Sequence, residues 1–540
     1  MRDNAPIFSF NEARKDIVRE VVQRVAERID DPLSVLSDAI YNEVRRHTAS
    51  KSGGDALARW RSLARCVPTM SRDELSGEVT KLAEEHAWDV AGNFDPRVYS
   101  LATKLMPPVL GALIAPLTTV TSIRRLVDAA ALADRITVEG HIARVRKLTQ
   151  LGTVVYVPTH LSNMDSIVFG YALDRAGLPP ATYGAGKNLF TNPVLSFFMH
   201  NLGAYKVDRR LRHGLYKEVL KTYSCVLIER GYHSLFFPGG TRSRSGGVER
   251  RLKLGLAGTG TQAFARTAIE GSPQLVFFVP ATISYLVTLE AETLIEDFLQ
   301  DAGKHRYIIE DDESSRIEKV ASFVSKLLKR DGGVIVRFGE PLDPFGNQVD
   351  DQGNSFDNRG HKVDPTSYVR DRNGEIRVDA DRDAQYTREL GEAVCKSFLR
   401  NTVILATHLV AAAMMNRLRA AIGTSDIFTL LRVRQRETVS LRDLEHDAAT
   451  LRDALIVMEK RGEIVVGEGI RHASGTAIVD EALRAWSGTH TTPVIESQNG
   501  ELSVGDAPLL FYYQNRLAGH GVALDVLVPK REPSSRGVPS

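Results

Sequence analysis

"VVYVPTHLSNMDSIVFGYAL", residues 154–173, changes character in its middle. Val154 to Val157 is an unbroken apolar run of the kind that forms a strand covered on both faces. Pro158 ends it. Ser162-x-x-Asp165 has the form of a capping box, and the apolar run from Ile167 continues as a helix that begins near Ser162 or Asn163. His160 therefore sits in the turn at the carboxyl end of a strand, the edge of an open α/β sheet where ligands bind. Asp165 sits in the first helical turn. Two readings follow. In one, Asp165 only caps the helix and His160 is an incidental loop residue. In the other, the carboxylate accepts one ring N–H of His160, fixes the tautomer and leaves the second nitrogen as a base.

The surroundings repeat this strand-to-helix rhythm. Short apolar runs recur at "TVVYVP" (153–158), "HSLFFP" (233–238), "QLVFFVP" (274–280) and "GGVIVRFG" (332–339). Amphipathic stretches such as "HGLYKEVLKTYSCVLIERG" (213–231) lie between them. The alternation predicts an α/β domain over 137–340, a mostly parallel sheet flanked by helices. Residues 1–136 read as a helical N-terminal region, with apolar spacings of three and four in "NEARKDIVREVVQRVAERI". Residues 341–385, rich in Asp, Asn, Gly and Pro, read as a polar flexible insertion. Residues 386–540 read as a mainly helical C-terminal appendage. Helix, helix and short strand near 439–469 also fit a small winged-helix-like unit, but a helical appendage packed on the core is the simpler expectation. No internal repeat stands out.

Bulk properties narrow the possibilities. A net charge of only +2 over 540 residues gives no argument for nucleic acid, and residues 430–470 do not interleave basic and aromatic side chains as a nucleic-acid surface would. Three cysteines, Cys66, Cys225 and Cys395, have neither metal-ligand spacing nor a disulfide framework, which fits a reducing compartment. The first residues lack the basic-then-apolar pattern of a secretory signal. Leu105 to Ile123 is 19 residues without a charge, yet Pro107, Pro108 and Pro116 interrupt it. It fits a shallow or re-entrant membrane segment or an ordinary core hairpin. The shorter run 401–416 reads as a buried core helix.

Three further segments bear on His160 and Asp165. "NLGAYKVDRRL" (201–211) places Arg209 and Arg210 side by side, and paired guanidinium groups suit a phosphate. "LFFPGGTRSRSGG" (235–247) runs from a strand into Gly239, Gly240 and Thr241, then Arg242 and Arg244. Glycines let backbone N–H groups approach an anion. "FFVPATISY" (277–285) reads as a strand that ends at Pro280 and passes into a loop. Between 201 and 260 there are twelve Lys and Arg against four Asp and Glu, a local excess of eight positive charges in a nearly neutral chain. A base beside an anion cradle suggests activation of a hydroxyl on a phosphorylated substrate.

These four segments, in this order, resemble the glycerolipid acyltransferase family with its H-x-x-x-x-D, G-x-x-x-[IV]-x-R, F-P-E-G-T-R-S or G-G-R-S-R, and V-P-x-x-I-x-Y blocks. Here they read His160 to Asp165, Gly203 to Arg210, Phe237 to Arg244 and Val279 to Tyr285. The form "VPTHLSNMD", the long helical region before it and about 250 residues after the fourth block are most like the large glycerol-3-phosphate acyltransferases. The resemblance implies acyl transfer from acyl-CoA or acyl carrier protein (acyl-ACP) to the sn-1 hydroxyl of glycerol 3-phosphate, giving lysophosphatidate for phospholipid biosynthesis. His160 and Asp165 would be catalytic. Arg209 or Arg210, with Arg242 and Arg244, would hold the phosphate, helped by backbone around Gly239, Gly240 and Thr241. No cofactor and no metal is implied. A membrane lipid surface is the implied partner, with the protein peripheral or shallowly inserted at the cytoplasmic face. Alternative acceptors are 1-acylglycerol 3-phosphate and dihydroxyacetone phosphate. A non-catalytic lipid- or phosphate-binding role on the same scaffold is a further alternative. One departure stands out: Gly239 occupies the place where the third block often has a glutamate.

Overall fold

The protein is described by a computed structural model covering residues 5–49, 54–103, 136–187, 190, 193–302, 333–423, 430 and 438–520. The apolar run 105–123 lies outside these residues.

Four helices open the chain: α1 (Phe10–Glu27), α2 (Pro32–Ala49), α3 (Gly54–Cys66) and α4 (Arg72–Val90). Ile17, Val18, Val21 and Val25 form the buried stripe of α1. Ser71 starts α4 with a reciprocal capping box to Glu74. The apolar faces of these helices share one core with Tyr216, Val219 and Tyr223 of a later helix, so this region packs directly on the sheet domain.

That domain is built on β1 (Ile136–Gly140), β2 (Thr153–Pro158), β3 (Thr182–Gly186), β4 (Ala204–Val207), β5 (Ser234–Leu235), β6 (Val276–Tyr285) and β7 (Val334–Phe338). Their order is β1-β7-β6-β2-β5-β3-β4. Every neighbouring pair is parallel except β6 and β7. The helices between them are α5 (Ile142–Leu151), α6 (Asp165–Arg175), α7 (Pro193–Asn201), α8 (Gly214–Glu229), α9 (Gly258–Ile269) and α10 (Ala291–Ala302). Alternation along β2 explains its unbroken apolar character. Val154 and Tyr156 pack with Phe169 and Phe338 on one face, and Val155 and Val157 pack with Phe264 and Phe278 on the other.

The strand expected to end at Pro280 continues to Tyr285. Pro280 lies where β6 exchanges its outer neighbour, bridging to Leu342 from Phe278 and pairing with β7 from Ala281 onward. No ladder bond needs an N–H there, while the Pro280 carbonyl accepts from Gly339 at 2.8 Å.

The absence of an internal repeat is overturned between 343 and 377. Asp343, Asp350, Asp357, Asp364 and Asp371 recur every seven residues, and glycine follows three residues after all but Asp364. Each of the four Asp-x-x-Gly turns has the same wiring. Glycine is left-handed, with φ from 80° to 88° at Gly346, Gly353, Gly360 and Gly374. The aspartate Oδ1 accepts the N–H two and four residues on, as Asp350 does from Gln352 at 2.9 Å and Asn354 at 2.8 Å. The turns join β8 (Gln348–Val349), β9 (Ser355–Phe356) and β10 (Lys362–Val363) into an antiparallel meander. A segment expected to be a flexible loop is thus a stack of tight hairpins. Its polarity comes from side chains that satisfy its own backbone.

The C-terminal part holds α11 (Ala380–Asn401), β11 (Val403–Ile404), α12 (Ala406–Ile422), β12 (Thr438–Ser440), α13 (Leu441–Lys460), β13 (Val465–Val466), α14 (Glu468–Arg471), α15 (Gly475–Trp486), β14 (Ile495–Gln498), β15 (Glu501–Val504) and α16 (Ala507–Gln514). Strand β12 pairs along β15, from Glu501 beside the hairpin turn to Ser503, on the side away from β14. Helix, strand, two longer helices and hairpin follow in the order of a winged-helix-like unit, the arrangement set aside as less simple. The run 401–416 supplies the core of this unit, with Leu409, Val410, Ala411, Ala412 and Met415 fully buried in α12. No helix of the described residues is long and apolar enough to cross a membrane.

Candidate active site

His160 lies two residues beyond the carboxyl end of β2, and α6 begins at Asp165, later than Ser162 or Asn163. The reason is the use of Ser162. Its Oγ donates to Glu290 Oε2 at 3.0 Å and accepts from Met164 N at 3.2 Å, instead of capping Asp165. Asp165 is fully buried and gathers four donors. Oδ2 accepts His160 Nδ1 at 2.7 Å, Leu161 N at 2.6 Å and Ser162 N at 2.9 Å. Oδ1 accepts the Tyr285 hydroxyl at 2.6 Å. One carboxylate thus satisfies the helix entry and also orients the imidazole. Because the carboxylate is an acceptor, Nδ1 carries the hydrogen and Nε2 keeps its lone pair.

The third motif segment clamps His160 from its other side. Phe237 stacks on the imidazole, with ring centroids 4.2 Å apart and planes 25° apart. The His160 N–H donates to Glu249 Oε1 at 2.8 Å, and its carbonyl accepts from Ser243 N at 2.7 Å. Burial pushes the carboxyl groups of Glu249 and Glu290 above the usual range, opposed by Arg516 for the first and Arg242 for the second.

The arginines divide. Arg242 is mostly buried and pairs with Glu290 at 3.4 Å. Arg209, from a separate loop, is exposed at the surface like Arg210, yet desolvation first, and then the Arg242 charge, hold its guanidinium below the ordinary value. Two guanidinium groups that sense each other's charge, with one carboxylate beside Arg242, leave a local positive field suited to an anion. Arg210 is exposed, and its backbone N–H closes on Asp208 Oδ1 at 3.0 Å. Arg244 pairs with Asp301 of α10 at 2.5 Å, with both side chains about half exposed. Of the expected backbone donors, Gly240 N turns back to Phe237 O at 3.1 Å and is not open to an anion. Gly240 has φ 72°, which favours glycine, and the flexible Lys253 side chain lies over it. Thr241 is exposed, and Gly239 lies against Glu249.

Several contributors carried no role in the sequence reading. Tyr285 and Phe237 fell inside quoted motifs, so their positions were visible. Glu249 and Glu290 had no signal beyond an acidic residue near a motif. Arg516 comes from beyond α16 and is almost completely buried, donating from Nη2 to Ile283 O at 3.0 Å. Nearby, Asn515 Nδ2 donates to Ser245 O at 2.8 Å. A Cβ on Gly246, which has φ 75°, would stand 2.2 Å from Tyr512 O. The C-terminal unit is therefore seated directly on the loop that holds His160.

Comparison with known proteins agrees with the motif blocks. Residues 135–284 match the family model described as Acyltransferase. A curated glycerol-3-phosphate acyltransferase of Pseudomonas paraeruginosa is 30% identical over 292 residues, covering 54% of this chain and 32% of that protein. One from Pseudomonas fluorescens is 32% identical over 203 residues, covering 37% of this chain and 22% of that protein. The matched region spans about a third of the first relative's length. The solved 1-acyl-sn-glycerophosphate acyltransferase of Thermotoga maritima is similar over 55% of this chain and 92% of its own, at 14% identity and a TM-score of 0.25, which carries no argument.

Proposed function

We infer, from the match of residues 135–284 to the acyltransferase family model, an enzyme that moves a fatty acyl group from a thioester to the sn-1 hydroxyl of glycerol 3-phosphate. The observation that carries this reading is the His160 Nδ1 bond to Asp165 Oδ2 at 2.7 Å, which aims the basicity of the imidazole at Nε2. Nε2 takes the proton from the acceptor hydroxyl as its oxygen attacks the thioester carbonyl. The tetrahedral intermediate collapses with loss of the thiolate of coenzyme A or acyl carrier protein. The imidazolium returns the proton to that sulfur. Asp165 holds the imidazolium in place throughout, as the third member of a triad does. No residue of the chain is acylated, and the step uses no metal or cofactor.

Arg209 and Arg242 receive the phosphate of the acceptor, with bidentate guanidinium bonds to its oxygens. The long apolar donor and amphiphilic product favour work at a lipid surface, peripherally or by shallow insertion at the cytoplasmic face of the membrane. The glycerol-3-phosphate acyltransferases of Pseudomonas that the chain resembles support glycerol 3-phosphate over lysophosphatidate or dihydroxyacetone phosphate.

The test is acyl transfer by purified protein in detergent or lipid, with labelled glycerol 3-phosphate and palmitoyl-CoA or acyl-ACP, beside His160→Ala. Labelled lysophosphatidate from the wild type alone supports acceptor and base together. Activity only on lysophosphatidate or dihydroxyacetone phosphate would overturn the acceptor assignment. Full activity in His160→Ala would remove the base.

A further inference from the structure

Gly239 and Glu249 lie against each other beside His160. The backbone of Gly239 is not in the left-handed region, so its conformation does not demand glycine. A Cβ built there would meet Thr241 O at 3.3 Å, Glu249 Cγ at 3.4 Å and Glu249 Oε1 at 3.5 Å. A methyl group would fit closely, with a small adjustment against Thr241 O, but a longer acidic side chain would compete with Glu249 for the same space. Oε1 of Glu249 is the atom that accepts the His160 N–H at 2.8 Å. Its Oε2 is buried and has no hydrogen-bond partner among the described residues; apart from the charge of Arg516, the His160 N–H is what the carboxylate serves.

We propose that Glu249 acts as a positioning residue for His160, and that the seat of its carboxylate, 3.5 Å from where a Cβ on Gly239 would stand, can be reached equally by an acidic side chain at position 239. The carboxylate anchors the amide of His160 while Asp165 anchors its ring. The backbone and the imidazole are thereby held at two separate points. Gly239 stays small because the space beside it is already filled. The inference rests on the acyl-transfer reading above for its kinetic consequence, but the hydrogen bond itself can be read without turnover.

The experiment compares wild type with Glu249→Ala, Glu249→Gln, Gly239→Glu and the exchange Gly239→Glu/Glu249→Ala. Two kinds of measurement are made: kinetics, giving kcat and KM for the acceptor, and deuterium exchange of the His160 amide. Glu249→Ala is expected to lower kcat about a hundredfold, with little change in acceptor KM, and to expose the amide, because a displaced base costs that order of rate. Glu249→Gln, which keeps an oxygen for the amide, retains most of both. Gly239→Glu alone is impaired by two carboxylates in one space. The exchange variant recovers about tenfold or more of the lost kcat and regains amide protection. An exchange variant no better than Glu249→Ala in either readout overturns the proposal, since a merely space-filling Glu249 would not be replaceable from position 239. Glu249→Ala within about threefold of wild-type kcat overturns it too. If the wild type acylates no acceptor, the functional reading falls, and amide exchange in the exchange variant alone decides this proposal.

Discussion

Tyr285 donates its hydroxyl to Asp165 Oδ1 at 2.6 Å across a sequence separation of 120 residues. The contact ties the last residue of β6 to the first of α6 and leaves Oδ2 to His160 and the backbone N–H groups of Leu161 and Ser162. Burial, and then the Asp165 charge, push the Tyr285 phenol well above its ordinary value, so it remains a donor. Tyr285→Phe leaves a buried carboxylate oxygen unpartnered, a loss of about 1–3 kcal/mol. The expected fall in kcat is roughly tenfold to a hundredfold. Asp165→Asn goes further, because the amide nitrogen cannot accept, and about 10²–10⁴ of rate should be lost. Steady-state kinetics check both, with circular dichroism confirming that each variant is folded.

The arginines should separate by acceptor KM. Arg209→Ala or Arg242→Ala removes a charge-assisted bond worth about 1.5–3 kcal/mol, raising KM for the phosphorylated acceptor roughly ten- to a hundredfold. KM for the thioester stays near wild type. Arg244→Ala breaks only a half-exposed pair with Asp301, worth about 0.2–1 kcal/mol, and should change either constant by less than about fivefold. Equal effects of all three variants would contradict the placement of the phosphate between Arg209 and Arg242.

Seating of the C-terminal unit on the His160 loop depends on Gly246. Its positive φ alone would cost alanine about 1–3 kcal/mol. The approach of its Cβ to Tyr512 O at 2.2 Å adds a clash with rigid backbone. Gly246→Ala should therefore lower the melting temperature and activity together. Gly374→Ala, at a turn where a Cβ would meet nothing within 4 Å, should lower stability without touching turnover. Calorimetry and turnover on the same preparations distinguish the two.

Two buried histidines predict the acid limit of the fold. Burial lowers His233 to about 4, and its Nδ1 accepts Val154 N at 3.1 Å. Burial, and then Arg516, lower His408 to about 3, and its Nδ1 accepts Leu405 N at 3.2 Å. Both are neutral in the fold and protonate more readily once unfolded. Their stabilisation is complete above the ordinary histidine value of 6.5 and is lost as pH falls toward 4 and then 3. Between those limits each removes up to about 1.4 kcal/mol per pH unit. Urea midpoints measured from pH 7 to pH 4 should fall accordingly, and His233→Asn, which keeps an acceptor for Val154, should flatten the slope.

Local periodicity carried much of the molecule. The apolar run of β2 announced a strand covered on both faces, since each alternate side chain had to be buried. His160 and Asp165 were legible as a pair because five residues across a turn and one helical start keep them close whatever surrounds them. The seven-residue repeat after Asp343 is equally local and was present in the sequence; its Asp and Gly content resembled a loop because hairpin turns use the same residues. Only the tertiary structure decided what stands around the pair. Tyr285 reaches Asp165 because β2 and β6 are neighbours, and Glu249 reaches His160 because the motif loop folds back over it. Arg516 arrives from a separate unit. Such contacts follow from the order of strands and the docking of helices, which depend on the packing of the whole core and leave no periodic trace in the chain.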